Sequence, residues 1–138
     1  VGESLEQIRS ENEGRLTPGM VVRRARAARN VLHAEFEWDD KLAAAIQRDE
    51  RARNIIRSIV VVSEDDDDSP TVRAFVSVIQ DDDDDASYTH IEHAMSDKVL
   101  RKQVLDSAYR ELKIWRKKYA DLREFDKVFN AVDKMATV

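Results

Sequence analysis

The sequence has no cysteine, and it has only three glycines and two prolines in 138 residues. The lack of cysteine excludes disulfides, thiolate metal sites and a cysteine nucleophile. With so few glycines, a glycine-rich loop that cradles phosphate is also excluded. No apolar run approaches the roughly 18 residues that a membrane span needs, and no basic start followed by an apolar block marks a signal peptide. We therefore expect a protein that makes no membrane contact.

Hydrophobic residues make up 42% of the chain, which is enough for a core, and the length is that of one ordinary domain. Residues 1–15 are polar and lack a clear apolar period, although Leu5 and Ile8 offer anchors for a short helix. We predict a loose N-terminal arm over 1–15 and a single domain over 16–136.

Charge is segregated along the chain. Residues 63–97 carry 12 acidic side chains and one basic side chain, for a net charge of -11, whereas residues 1–62 carry +1 and residues 98–138 carry +5. Nearly all the excess negative charge lies in residues 64–68 and 81–85. Closely spaced like charges repel and stay solvated, so we predict exposed acidic loops at 64–70 and 81–87.

Two N-terminal helices are expected. Thr17 followed by Pro18 is typical of a helix start, and this helix is predicted to run to about Asn30. Asp39 or Asp40 caps a second, longer helix. Its apolar side chains recur at three- and four-residue steps and are expected to be buried: Leu42, Ala45, Ile46, Ala52, Ile55, Ile56 and Ile59.

At Ser58 the helical periodicity of apolar residues ends. Residues 59–62 and 71–79 are rich in β-branched side chains and predict one β-hairpin with an acidic tip. Residues 87–95 suit a short helix, Ser96 caps a long helix to about Tyr119, and a final helix carries Leu122, Phe125, Val128, Phe129 and Val132. The fold class is α+β, helix-dominant, with two N-terminal helices, one hairpin and two to three C-terminal helices.

The first helix is the best candidate for binding nucleic acid. It carries Arg23, Arg24, Arg26 and Arg29, with no acidic residue between Arg15 and Asn30. Arginines on one helix face neutralise phosphates. The connection of about eight residues to the next helix is longer than a helix-turn-helix allows, however, so a solvated face or a protein-binding face stays open.

A second basic cluster contains Arg116 and Lys117, flanked by Lys113 and Lys118. It lies beside Trp115 and Tyr119, and basic groups interleaved with aromatics hold single strands by stacking. The alternative is structural, because cations suit a helix C-terminus and the aromatics continue the core stripe.

The acidic loops are candidate sites for a protein partner, through Asp65, Asp66, Asp67, Asp81, Asp83 and Asp85. The spacing of Asp81, Asp83 and Asp85 with Glu92 also matches a calcium loop, but Ala86 stands where that loop needs glycine. His90 and His93 lack a third placed ligand. We predict no metal site and no cofactor.

Catalysis is not indicated. None of the serines lies in a nucleophile-elbow motif or pairs recognisably with a histidine and an acid. The clustered carboxylates fall in solvated loops, where none is expected to have a perturbed pKa. We predict that the protein is not an enzyme.

Several short segments carry a resemblance. They are Leu16-Thr17-Pro18, Val21-Val22, Ala25, Leu32-His33, Phe36-Glu37-Trp38-Asp39-Asp40, Ala43-Ala44, Arg48, Ala52-Arg53-Asn54-Ile55-Ile56-Arg57, Val72-Arg73-Ala74-Phe75-Val76-Ser77, Ala108-Tyr109-Arg110-Glu111-Leu112 and Lys118-Tyr119-Ala120. Together they resemble a family of small, mostly uncharacterised proteins of tailed bacteriophages and prophages. The resemblance implies a phage protein that is cytoplasmic in the bacterial host, but it supplies no activity or site residue.

Three functions stay open. The first is a non-enzymatic phage accessory or regulatory protein that binds nucleic acid, or a protein that handles it, through the Arg-rich helix. The second is an acidic inhibitor of a host protein that acts through the Asp-rich loops. The third is a structural or assembly component of the virion, with amphipathic C-terminal helices as a subunit interface. The partner is therefore DNA or a host or phage protein, and the oligomeric state stays open.

Overall fold

A computed structural model of the chain describes residues 1–61, 71–80 and 84–135. The predicted helix-dominant α+β class is confirmed: six α-helices and four short strands lie in these residues. The chain divides into two compact units, residues 1–52 and residues 53–138, where the sequence predicted one domain over 16–136. Each unit has a core of its own.

The first helix, α1, spans Gly2–Glu11, so the prediction of a loose arm over 1–15 is wrong. Ile8 is 1% exposed and packs with Ala25 and Leu32 in the core of the first unit. A single fully buried side chain, supported by the half-buried Leu5, is enough to fix a helix whose other faces are polar. The chain leaves α1 through Glu13 and Gly14, both with positive φ (56° and 85°).

Helix α2 spans Pro18–Ala25 and starts where the sequence predicted. The Thr17 hydroxyl accepts a hydrogen bond from the Met20 amide at 3.3 Å, and Pro18 occupies the first turn. The predicted end at Asn30 is wrong by five residues. The Asn30 amide donates to the Ala27 carbonyl and its side-chain oxygen accepts from the Leu32 amide, a local pattern that competes with helix.

Helix α3 spans Asp40–Ser58. Of the two predicted caps, Asp39 is the one observed, because its carboxylate accepts from the Lys41 and Leu42 amides at 2.9 Å each. The predicted burial of its apolar stripe is wrong, because the helix has no fully buried residue. Leu42 is 50% exposed and Ile46 is 52% exposed. Periodicity identifies which face of a helix is apolar but does not supply the partner that covers it.

The second unit contains two antiparallel hairpins. The predicted pairing is present between β1 (Val60–Val61) and β2 (Val72–Arg73), with Val61 opposite Val72. Strand β3 (Phe75–Val78) pairs instead with β4 (Ser87–His90), where the sequence predicted helix. Tyr and Thr in that segment suit a strand, and pairing with β3 outweighs the helical alternative.

Three helices complete the second unit: α4 (Ile91–Ser96), α5 (Lys98–Lys118) and α6 (Asp126–Met135). The cap of α5 is Asp97 rather than the predicted Ser96, and it accepts from the amides of Val99 and Leu100. Val78, Ala94 and Leu100 form a buried cluster that joins β3, α4 and α5.

One side chain fixes the register of α5 against β3. The Gln103 amide donates to the Ile79 carbonyl and accepts from the Ile79 amide, both at 2.8 Å. These two bonds satisfy the backbone amide and carbonyl of Ile79, the residue that follows β3.

Of the helices in the described residues, none combines the length and the apolar character that crossing a membrane requires.

Candidate anion-binding surface

The four arginines of the N-terminal unit lie around the C-terminal end of α2. Arg23 and Arg24 are in its last turn, Arg26 is the C-cap, and Arg29 lies in the turn that follows. The Arg26 amide still donates to the Val22 carbonyl at 3.2 Å, so the first three side chains project from helical backbone. Because α2 stops at Ala25, the four do not form one helix face as predicted.

Arg24 is neutralised by an acid from another helix. Its guanidinium donates to the Glu11 carboxylate on α1, and Glu11 also accepts from Gln7 at 2.9 Å. The hydrogen bond from Arg24 lowers the pKa of Glu11 below its ordinary value, and the bond from Gln7 adds to that effect. Arg24 therefore ties α2 to α1 and contributes little free positive charge.

The other three arginines, Arg23, Arg26 and Arg29, are exposed. Within the described ranges none of them has an ion-pair or hydrogen-bond partner for its guanidinium. We call these three residues the arginine surface. They place three positive charges in the seven residues 23–29, a stretch that is held to the core by the buried Ala25.

The buried core holds this surface in place. Ala25, between the arginines, is fully buried against Ile8 and Leu32. Beside Arg23 runs an open groove of about 470 Å³, which is also lined by Arg24, Glu11 and Asn12. The Asn12 amide donates to the Ile8 carbonyl at 2.6 Å and so closes the end of α1.

His33 holds the segment that follows the arginines in place. No role was predicted for this residue from the sequence. Its ring Nδ1 donates to the Ala25 carbonyl at 2.8 Å, and its imidazole stacks on the Trp38 indole with centroids 5.0 Å apart. The indole Nε1 in turn donates to the His33 carbonyl at 2.9 Å. No local pattern in the sequence predicts this three-way contact.

The second basic cluster is largely structural. Arg116 on α5 makes a forked contact to the Asp133 carboxylate on α6, with Nε–Oδ1 at 2.7 Å and Nη2–Oδ2 at 2.8 Å. The hydrogen bond to Asp133 raises the pKa of Arg116 above its ordinary value. Its guanidinium also lies 5.2 Å from the centroid of the Phe129 ring. Of the two residues predicted there, only Lys117 is exposed.

The aromatics beside this cluster pack on each other. Trp115 lies 5.5 Å from both Phe125 and Phe129 and 5.9 Å from Tyr119, measured between ring centroids. Phe129 is 3% exposed. These rings pack against one another between α5 and α6, which is the structural role that the alternative interpretation gives them.

Most of the acidic interaction residues lie outside the described residues: Asp65, Asp66, Asp67, Asp81 and Asp83. Asp85 is described and exposed. His90 ends β4 and caps α4, where its Nδ1 accepts from the Glu92 amide at 3.3 Å, so it does not share a helix with His93. Across the described ranges no three His, Asp or Glu side chains gather in a group that could hold a metal ion.

Comparison of the chain with protein-family models, with curated proteins and with solved structures finds no match.

Proposed function

We propose that the protein is a non-enzymatic phage accessory or regulatory protein that binds the phosphate backbone of nucleic acid through the arginine surface. The observation that carries this proposal is the contrast among four neighbouring arginines. Arg24 is paired with Glu11, whereas Arg23, Arg26 and Arg29 face solvent without a partner in the described residues. Three unpaired guanidiniums on a firm core suit a ligand with closely spaced negative charge.

The attraction for phosphate comes from the arginine side chains and not from the dipole of α2. The arginine surface lies at the C-terminal end of α2, where the backbone carbonyls carry partial negative charge. That end of a helix disfavours an anion, so no backbone contribution replaces a lost guanidinium. Binding is therefore expected to depend steeply on the three arginines.

Binding is expected to be independent of base sequence. Base edges are read by asparagine, glutamine or paired arginine side chains in suitable geometry. The side-chain oxygen of Asn30, the residue after Arg29, already accepts from the Leu32 backbone amide at 2.9 Å. The arginines are left to contact phosphates, which fix position without specifying sequence.

The test compares two triple variants that remove the same charge. The first is Arg23→Gln, Arg26→Gln, Arg29→Gln. The control is Arg48→Gln, Arg51→Gln, Arg101→Gln, three exposed arginines of α3 and α5. Fluorescence anisotropy with a labelled duplex and a labelled single strand at about 50 mM salt should give at least about tenfold weaker binding for the first variant only.

A third variant separates charge from structure. Arg24→Gln removes the contact to Glu11, so it should lower the unfolding temperature while changing DNA affinity less than the first triple variant does. Equal losses of affinity from both triple variants would reject the arginine surface as the site. No binding of either strand form by the unmodified protein would reject direct binding of nucleic acid.

A further inference from the structure

The apolar side chains of α3 are left uncovered along the helix. None of its residues is fully buried, and Leu42, Ile46 and Ile55 are half exposed. Apolar side chains grouped on an exposed surface are typical of an interaction site rather than of scattered surface residues. We propose that α3 pairs with α3 of a second copy of this chain, in antiparallel orientation, to form a homodimer.

One stripe along α3 has the spacing that two paired helices require. Leu42, Ile46, Asp49, Arg53 and Ile56 follow one another at alternating steps of four and three residues, and each is at least partly exposed. These steps place the five side chains on one face of the helix, and the same alternation forms the seam of a two-stranded coiled coil. The two charged residues stand at the centre of the stripe, with apolar residues on either side.

The stripe is complementary to itself when the two helices run in opposite directions. With the two-fold axis at the level of Arg51, Ile46 of one copy lies opposite Ile56 of the other, and Asp49 lies opposite Arg53. Each pair then occurs twice, because a two-fold interface uses the same patch on both copies. The centre of the seam contains two ion pairs, and an apolar contact flanks it at each end.

The central charges select the antiparallel orientation. If the helices ran parallel and in register, Asp49 would face Asp49 and Arg53 would face Arg53, and like charges across an interface disfavour a complex. The Asp49 carboxylate has no ion-pair or hydrogen-bond partner within the described ranges. Arg53 already has a contact within its own chain, but a guanidinium has five N–H donors and can bind a second acceptor.

The association is expected to be weak. The helix has 19 residues, so the paired face is only about 28 Å long. Interfaces of small area belong to transient complexes, and a polar pair within an apolar seam fixes the register at a cost in stability. We therefore expect a dissociation constant of about 100 µM.

The first test measures the mass of the full chain by sedimentation equilibrium at about 10 µM and about 1 mM, on either side of that constant. The mass should be close to that of the monomer at the lower concentration and should approach twice that value at the higher one. Substitutions in the arginine surface should leave this result unchanged, so this proposal and the nucleic-acid proposal can fail independently. A wild-type chain that is monomeric at about 1 mM would overturn the dimer.

Matched isoleucine variants locate the interface. Ile46→Glu should remain monomeric at both concentrations, because it places a charge in the apolar seam. Since Ile46 is half exposed, this change should leave the unfolding temperature at 10 µM nearly unchanged. The control is Ile114→Glu at an exposed position of α5, which should associate as the wild type does. Equal effects of the two variants on association would overturn the assignment to α3.

Charge reversal tests the register. Asp49→Arg brings an arginine opposite Arg53 of the other copy and should weaken association by at least about tenfold. Adding Arg53→Asp restores opposite charges across the antiparallel pair, so the double variant should associate as the wild type does. A double variant that keeps the wild-type circular dichroism but stays monomeric at about 1 mM would overturn the register.

Cross-linking tests the orientation without changing a residue of the stripe. The chain has no cysteine, so a single introduced thiol reports alone. In the antiparallel pair the two copies of Ala52 lie about 3 Å apart along the helix axis, whereas the two copies of Ala45 lie about 18 Å apart. A short bis-maleimide should therefore cross-link Ala52→Cys at least about tenfold faster than Ala45→Cys. Equal rates, as parallel pairing requires, would overturn the proposal.

Discussion

The imidazole of His33 lies parallel to the indole of Trp38, with ring centroids 5.0 Å apart and planes within 10°. The same imidazole donates to the carbonyl of Ala25, the buried residue between the arginines, at 2.8 Å. The two side chains thereby hold the segment that follows α2 against the core. They connect the geometry of the arginine surface to the stability of the first unit.

Replacing His33 with alanine should destabilise the first unit by about 1–3 kcal/mol, because one hydrogen bond and one ring contact are lost together. The Trp38 indole proton, which is bonded to the His33 carbonyl, reports the change in a urea titration followed by NMR. His93→Ala is the matched control, since His93 is exposed. Equal midpoints for the two variants would contradict the role assigned to His33.

Acid should weaken the contact between α1 and α2. The pKa of Glu11 is lowered in the folded state, so its contribution to stability is complete above the unfolded value of 4.5 and is lost as the pH falls through the lower folded value. Glu11→Gln should remove this part of the pH dependence. Unfolding midpoints measured from pH 6 downwards should therefore fall less steeply for Glu11→Gln than for Glu3→Gln. Parallel curves would count against the prediction.

Ile8→Ala should cost about 2–5 kcal/mol, since the side chain is 1% exposed and its removal leaves a cavity. Val1→Ala, at an exposed position of the same segment, should change stability by less than about 0.5 kcal/mol. Chemical unfolding of both variants makes the comparison. A small effect of Ile8→Ala would mean that α1 is not part of the core.

Arg116→Lys keeps the positive charge of α5 but loses the forked contact to Asp133. We expect a lower unfolding temperature for the second unit and no further loss when Asp133→Asn is added. Lys117→Arg, one residue away and exposed, is the control. If Arg116→Lys and Asp133→Asn lower the temperature additively, the two side chains are not coupled.

Local signals predicted the helix starts well. Thr17 and Asp39 cap their helices through hydrogen bonds to amides two or three residues ahead, so the information lies within one turn. The strand at Ser87–His90 was mistaken for helix because its own residues do not exclude either state and the pairing with β3 that decides it is not visible in its local pattern.

The functional residues were predicted less completely. The arginines were identified from their spacing, but sequence alone did not separate Arg24 from its neighbours. Its partner Glu11 lies 13 residues away on a helix that the sequence did not predict.

The measurement that tests the central claim most directly is the salt dependence of DNA binding by the wild type and by Arg23→Gln, Arg26→Gln, Arg29→Gln. Three phosphate contacts contribute a slope of about -2.7 in log K against log salt, or about 40-fold between 50 and 200 mM. We predict that the triple variant has a slope shallower by about that amount and that the Arg48, Arg51 and Arg101 control keeps the wild-type slope. Identical slopes for the wild type and the triple variant would contradict the account.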